Sequence, residues 1–233
     1  MKKLCNGWEF TPMWTNGFRM GEGEGEPVRL PHNPKTIPQH CAGPEDYEGV
    51  YGYRKVLALD ASYRGKRLFL QFDGAAHVAT VFVNGKELMT HRTGYTAFRV
   101  EITDAVRLDG TDLVAVRLDS TENPEIPPFG YVIDYLTYGG LYRDVRLDVR
   151  NPVCIANVFI ETPDLHTAKV QTTVSGSAAM VRQRILNAAG ECVGQNADAD
   201  PDSVVAAPED LFVRTTTVRA ADAKPWTCEE PNL

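Results

Sequence analysis

An all-β fold is predicted for this sequence, arranged as a jelly-roll β-sandwich over residues 1–151 and a second, smaller sandwich over residues 152–233. Three observations predict it. Apolar residues recur with period two rather than with helical spacing, short strand candidates are separated by turn residues, and no segment sustains apolar positions three and four residues apart over three turns.

The strands with one wet face come first. Val145, Leu147 and Val149 alternate with Asp144, Arg146 and Asp148, and Phe98, Val100 and Ile102 alternate with Arg99, Glu101 and Thr103. Arg67-Leu-Phe-Leu-Gln-Phe72 and Leu113-Val-Ala-Val-Arg-Leu118 are more continuously apolar, as central strands buried on both faces are. Val78-Ala-Thr-Val-Phe-Val83 runs directly into Asn84-Gly85. Both turn residues tolerate positive φ, so a type I′ hairpin is expected there.

The segment Ser120-Thr-Glu-Asn-Pro-Glu-Ile-Pro-Pro-Phe-Gly130 interrupts the pattern. Three prolines cannot donate to a ladder, so an ordered, extended loop between two strands is expected, the kind of element that carries binding on a β-scaffold. A domain boundary is expected at Asn151-Pro152. Beyond it lie strand candidates at Ile155–Thr162, Lys169–Ser175, Met180–Asn187 and Leu211–Val218, with an acidic, turn-rich loop from Glu191 to Asp210. Four or five strands suggest an immunoglobulin-like sandwich, which normally needs about seven, so this domain is expected to lack its last strand or two.

Composition narrows the function classes. A formal charge of -7 argues against a nucleic-acid binder. No run of about 18 apolar residues spans a membrane, and Met1-Lys-Lys-Leu-Cys-Asn-Gly-Trp8 has no apolar core of a signal peptide. The five cysteines are widely spaced with no C-x-x-C pair, which suggests neither a zinc site nor a disulfide framework. Buried, reduced thiols in a cytoplasmic protein are expected, with no cofactor.

Seven elements in register then resemble one family. Gly7-Trp-Glu-Phe10, Leu30-Pro-His32 and Gly49-Val-Tyr-Gly-Tyr-Arg-Lys55 come first. They are followed by Phe69-Leu-Gln-Phe-Asp-Gly74, Val81-Phe-Val-Asn-Gly85, Gly94-Tyr-Thr-Ala-Phe98 and Tyr138-Gly-Gly-Leu-Tyr-Arg-Asp-Val145. In this order they are similar to the amino-terminal, galactose-binding-like domain of family 2 glycoside hydrolases, the β-galactosidase and β-glucuronidase group. Pro225-Trp-Thr-Cys-Glu-Glu-Pro231 is similar to a turn that, in that family, leads toward the last strands of an immunoglobulin-like domain and then a catalytic barrel.

The resemblance implies a retaining glycosidase whose two catalytic carboxylates lie on a (β/α)₈ barrel. This chain has no helical period with which to build one, so it is expected to be inactive alone. The missing barrel and a β-galactoside are its expected partners, a homo-oligomer is possible, and a β-glucuronidase parent or a free-standing carbohydrate-binding module is the alternative.

The resemblance also implies site residues. Asp134 stands six residues before Gly140, and in β-galactosidases of the family an aspartate at that spacing contacts the galactosyl group. A carboxylate suits a sugar hydroxyl because charge-assisted hydrogen bonds are strong; the simpler reading is a turn-capping aspartate. Asn33 is a second candidate for the pocket edge, its simpler reading being a turn residue ahead of Pro34. Arg143 is expected to face the same side as Val145 and Leu147 and to need an internal partner. Among the aromatics, Phe129 and Tyr131 are the best candidates for sugar stacking, while Trp8, Tyr51 and Tyr53 read as core.

Overall fold

The computed structural model of the protein describes residues 1–36, 43–127, 138–177, 179–196, 204–207, 211–220 and 223–231. It divides into two compact units, Met1–Arg150 and Asn151–Leu233.

The first unit is a two-sheet β-sandwich. One sheet joins β1 (Lys2–Lys3), β10 (Val145–Arg150), β5 (Arg67–Phe72) and β8 (Phe98–Glu101) in that order. The other holds β3 (Glu26–Val28), β2 (Trp8–Thr11), β4 (Val50–Leu57), β9 (Asp112–Asp119), β6 (Val78–Val83) and β7 (Lys86–Arg92). All pairings are antiparallel.

Alternate side chains of the two sheets meet in one core. Trp8, Phe10, Tyr51, Tyr53, Val81, Val116 and Leu118 from the larger sheet join Leu68, Leu70, Phe72, Val100, Val145 and Leu147 from the smaller one. Each such burial contributes about 1.5–3 kcal/mol. Phe72 and Phe98 stack with centroids 4.7 Å apart across the β5–β8 pair.

The continuous apolar run of β5 has a specific outer-face cause. Phe69 points away from the core, yet it is 6% exposed, because the guanidinium groups of Arg67 and Arg99 lie over its ring at 5.2 and 4.6 Å. The Asn84-Gly85 hairpin forms as expected: both residues have positive φ, and Val83 pairs with Lys86.

The outer face of the larger sheet is partly roofed by a short helix, α1 (Asn16–Arg19), capped by Thr15, whose hydroxyl accepts from Phe18 N at 3.1 Å. Arg54 locks the roof down. Its guanidinium donates to Glu9 Oε2 at 2.6 Å and to the carbonyls of Glu22 and Gly23, each at 2.8 Å, and sits 4.2 Å over the Phe18 ring.

In the second unit, β11 (Cys154–Asp164), β12 (Thr167–Ser175), β16 (Leu211–Arg219) and β15 (Val204–Ala207) form one antiparallel sheet. The strands β13 (Gln183–Leu186) and β14 (Cys192–Asn196) form a separate hairpin. Gln183 ties hairpin to sheet, donating to Thr172 Oγ1 at 2.9 Å and accepting from Thr216 Oγ1. Two strands, β14 and β15, therefore lie inside the segment expected to be a loop. Its acidic, turn-rich composition conceals them, because Cys192-Val-Gly-Gln-Asn196 and Val204-Val-Ala-Ala207 are too short to show a period.

The thiol expectation needs one correction. Cys5, Cys154, Cys192 and Cys228 are free, but none of the four is buried: Cys5 and Cys154 are half-buried, and Cys192 and Cys228 are exposed.

Candidate functional site

Strand register places a set of loops at one end of the first unit. Phe72 pairs with both Val145 and Phe98, and Val78 with both Asp119 and Arg92, while Val50 also pairs with Asp119. Hence the connections around residues 44–49, 73–77, 93–97, 120–127 and 138–144 all emerge together. Four of the family-like motifs end or begin here.

The loops are tied to one another by specific bonds. Gly74 lets Tyr142 approach, since a Cβ there would lie 2.8 Å from the Tyr142 hydroxyl; that hydroxyl donates to Gly94 O at 2.5 Å. Gly94 N in turn donates to Pro127 O at 3.3 Å, which brings the proline-rich loop to the Gly94-Tyr95 turn. Tyr95 and Tyr142 meet edge to face with centroids 6.3 Å apart.

Arg143 differs from its expected place. It is exposed and donates to the carbonyls of Asp73 and Tyr95 at 3.3 and 3.2 Å. The reason is that β10 begins only at Val145, so strand alternation does not reach back to position 143. Its neighbour Asp144 is the more strongly held group: bonds from Lys3, Cys5 and Arg146 bring its carboxyl down to about 2.

The Leu-Pro-His element lies against the Gly139-Gly140 turn. His32 N donates to Leu141 O at 2.9 Å, and its Nδ1 lies 2.9 Å from the buried Tyr53 hydroxyl. Burial lowers the His32 pKa, with Glu26 opposing. Gly140 has φ +120°, and a Cβ there would stand 2.4 Å from His32 O and 2.7 Å from Pro34 Cδ. Only glycine fits at so close a crossing. Asn33 is placed at this junction, with its side chain exposed and its Cα 3.3 Å from that same Cβ position. Asp134, Phe129 and Tyr131 lie outside the described residues.

Sequence reasoning missed Ser120 and His77. Ser120 is buried; its hydroxyl sits 3.0 Å from Gly49 N and 3.3 Å from Tyr47 O, fixing the start of the 120–127 loop. Glu122 N adds a bond to Glu48 Oε1 at 2.9 Å. His77 lies 3% exposed with Nδ1 3.1 Å from Ser120 O, and burial lowers its pKa against the opposing pull of the Ser120 bond and of Glu122, Glu48 and Asp119. No local signal marks either residue, because the partners are 43 residues apart.

Among the described residues no group of His, Cys, Asp or Glu is arranged to hold a metal ion, and no helix is long and apolar enough to cross a membrane. The carbonyls, hydroxyls and aromatic edges of these loops bond to one another and so hold the loop ends in one cluster.

Residues 24–152 match the profile of the glycosyl hydrolases family 2 sugar binding domain. The chain is 37% identical over 177 residues to a β-galactosidase of Thermoanaerobacter pseudethanolicus, covering 72% of this chain and 24% of that protein. It is 38% identical over 183 residues to a β-glucuronidase of Bacteroides fragilis, covering 78% and 25%. The solved structure of Bacteroides uniformis β-glucuronidase 2, covalently bound to cyclophellitol-6-carboxylate aziridine, superimposes with a TM-score of 0.84 at 22% identity, over 99% of this chain and 29% of that one. The chain thus spans about a quarter of the length of these curated relatives. By sequence profile, relatives and fold, it belongs to glycosyl hydrolase family 2, and residues 24–152 are its sugar binding domain.

Proposed function

We propose that this chain is the non-catalytic, amino-terminal region of a retaining family 2 glycosidase, with β-galactosidase as the parent activity and β-glucuronidase as the alternative. Residues 1–151 are read as the jelly-roll sugar-binding-like domain and 152–233 as an immunoglobulin-like sandwich. The two-sheet architecture of the first unit supports the former, and the sheet-plus-hairpin arrangement of the second supports the latter. The parent's barrel is the partner that completes the pocket, and free thiols at the four described cysteines fit a cytoplasmic protein.

The observation that carries this reading is the bound loop cluster at one end of the first unit. Both ends of the 120–139 connection are fastened there, beside the Asn33 junction. Asp134, within that connection, accepts a hydrogen bond from a sugar hydroxyl, and Asn33 borders the same pocket.

Two measurements test the reading. Calorimetric titration of this chain with methyl β-galactoside is expected to show binding weaker than about 1 mM, a free energy of about -4 kcal/mol or less in magnitude. Tighter binding supports a free-standing carbohydrate-binding module instead. The parent polypeptide is expected to hydrolyse a p-nitrophenyl β-galactoside faster than the β-glucuronide; the reverse order favours the alternative, and hydrolysis of neither removes the glycosidase reading.

A further inference from the structure

The two residues just before β6 grip both described ends of the connection between β9 and β10 at once. Ala76 and Gly140 exchange two main-chain hydrogen bonds, Ala76 N to Gly140 O at 3.1 Å and Gly140 N to Ala76 O at 3.2 Å. The next residue takes the other end: His77 N donates to Asp119 O at 3.0 Å, and its ring Nδ1 lies 3.1 Å from Ser120 O. A carbonyl oxygen only accepts, so Nδ1 carries the proton and Nε2 of the neutral ring is a bare acceptor. Among the described residues that Nε2 is buried and has no hydrogen-bond partner.

An apolar ring at this position would avoid the orphaned nitrogen, whose burial carries a desolvation penalty. Histidine is therefore a poor choice for packing alone. What it adds is the Nδ1–H bond. The Ser120 hydroxyl and amide are already engaged by residues 47–49; among the described residues, the side chain that reaches its carbonyl is that of His77. Fixing the carbonyl fixes the peptide plane from which the chain departs toward Glu122.

We propose that His77 is a positioning residue: through its Nδ1–H bond to Ser120 it sets the take-off direction of the connection between β9 and β10, and thereby the sugar affinity of the pocket that this connection borders. The affinity part rests on the glycosidase reading above; the positioning part does not.

The test compares His77→Phe, which keeps a ring but removes the donor, with His77→Asn, whose amide N–H reaches toward the same carbonyl. In amide hydrogen exchange on the full chain, His77→Phe is expected to accelerate exchange at residues 120–126 and at Gly140 about tenfold, the loss of one hydrogen bond. The interiors of β5 and β9 stay unchanged, and His77→Asn stays within about threefold of the native chain. In the parent enzyme, His77→Phe is expected to raise KM for a p-nitrophenyl β-galactoside about tenfold with kcat held within about threefold, again rescued by His77→Asn. Uniform acceleration across the first unit in both variants would make His77 a packing residue and overturn the proposal, as would unchanged exchange at 120–126. Failure of the native parent to hydrolyse either glycoside would count against the glycosidase reading and leave the exchange result to decide the positioning role.

Discussion

Gly140 and His77 show how single positions hold the loop cluster. At Gly140 a methyl group meets the His32 carbonyl and Pro34 at φ +120°, so Gly140→Ala is expected to destabilise the first unit by about 1–3 kcal/mol or more, read as a lower urea midpoint. A midpoint equal to that of the native chain would mean that the 32–34 turn yields freely. At His77, burial holds the pKa below its ordinary value of 6.5; His32 and His91 are shifted in the same direction by the same cause. Between 6.5 and the lowered folded values the unfolded chain binds protons that the folded chain does not. Their stabilisation is therefore complete above about pH 6.5 and declines as the pH falls. Asp144, brought from 3.8 to about 2 by Lys3, Cys5 and Arg146, adds a second decline below pH 3.8. The urea midpoint should fall in these two windows, and His77→Asn should flatten part of the first and none of the second. A midpoint that rises from pH 7 to 5.5 contradicts this assignment.

The β6–β7 hairpin shows the element scale. Its turn was legible because Asn-Gly after an apolar run has few other conformations available. The side-chain work of Asn84 was not legible. Its amide donates to Ala105 O at 2.9 Å and to Asp112 Oδ1 at 2.8 Å, while its carbonyl accepts from Leu113 N at 3.0 Å. Asp112 is fully buried, so Asn84→Ala leaves a buried carboxylate one donor short and is expected to cost about 1–3 kcal/mol in chemical denaturation. Asn84→Asp retains the turn geometry but sets two carboxylates together, and should be at least as harmful. The same contrast runs through the fold. Strands whose sequence alternates with period two, such as β8 and β10, could be read directly. Short strands such as β14 and β15 could not, because four or five residues carry no usable period. Arg143 was misplaced because alternation was extended two residues beyond where β10 begins. The loop cluster itself depended on long-range pairing: the motifs announced its members, but only the register of β4, β5, β6 and β9 brought them to one end.

At the scale of the whole molecule, two β units account for the entire described chain, and the family assignment places the first of them in the sugar binding domain of family 2 glycosyl hydrolases. A sandwich core of interlocked aromatics and aliphatics holds the loop ends in one cluster. The proposed contact of this loop cluster with a sugar is through Asp134. It is tested most directly by kcat/KM of the parent enzyme for a p-nitrophenyl β-galactoside, native against Asp134→Ala. Loss of a hydrogen bond to a charged group predicts a fall of about 1.5–3 kcal/mol, roughly 10- to 150-fold, with the urea midpoint preserved. An unchanged kcat/KM would contradict the account and leave this region a purely structural support.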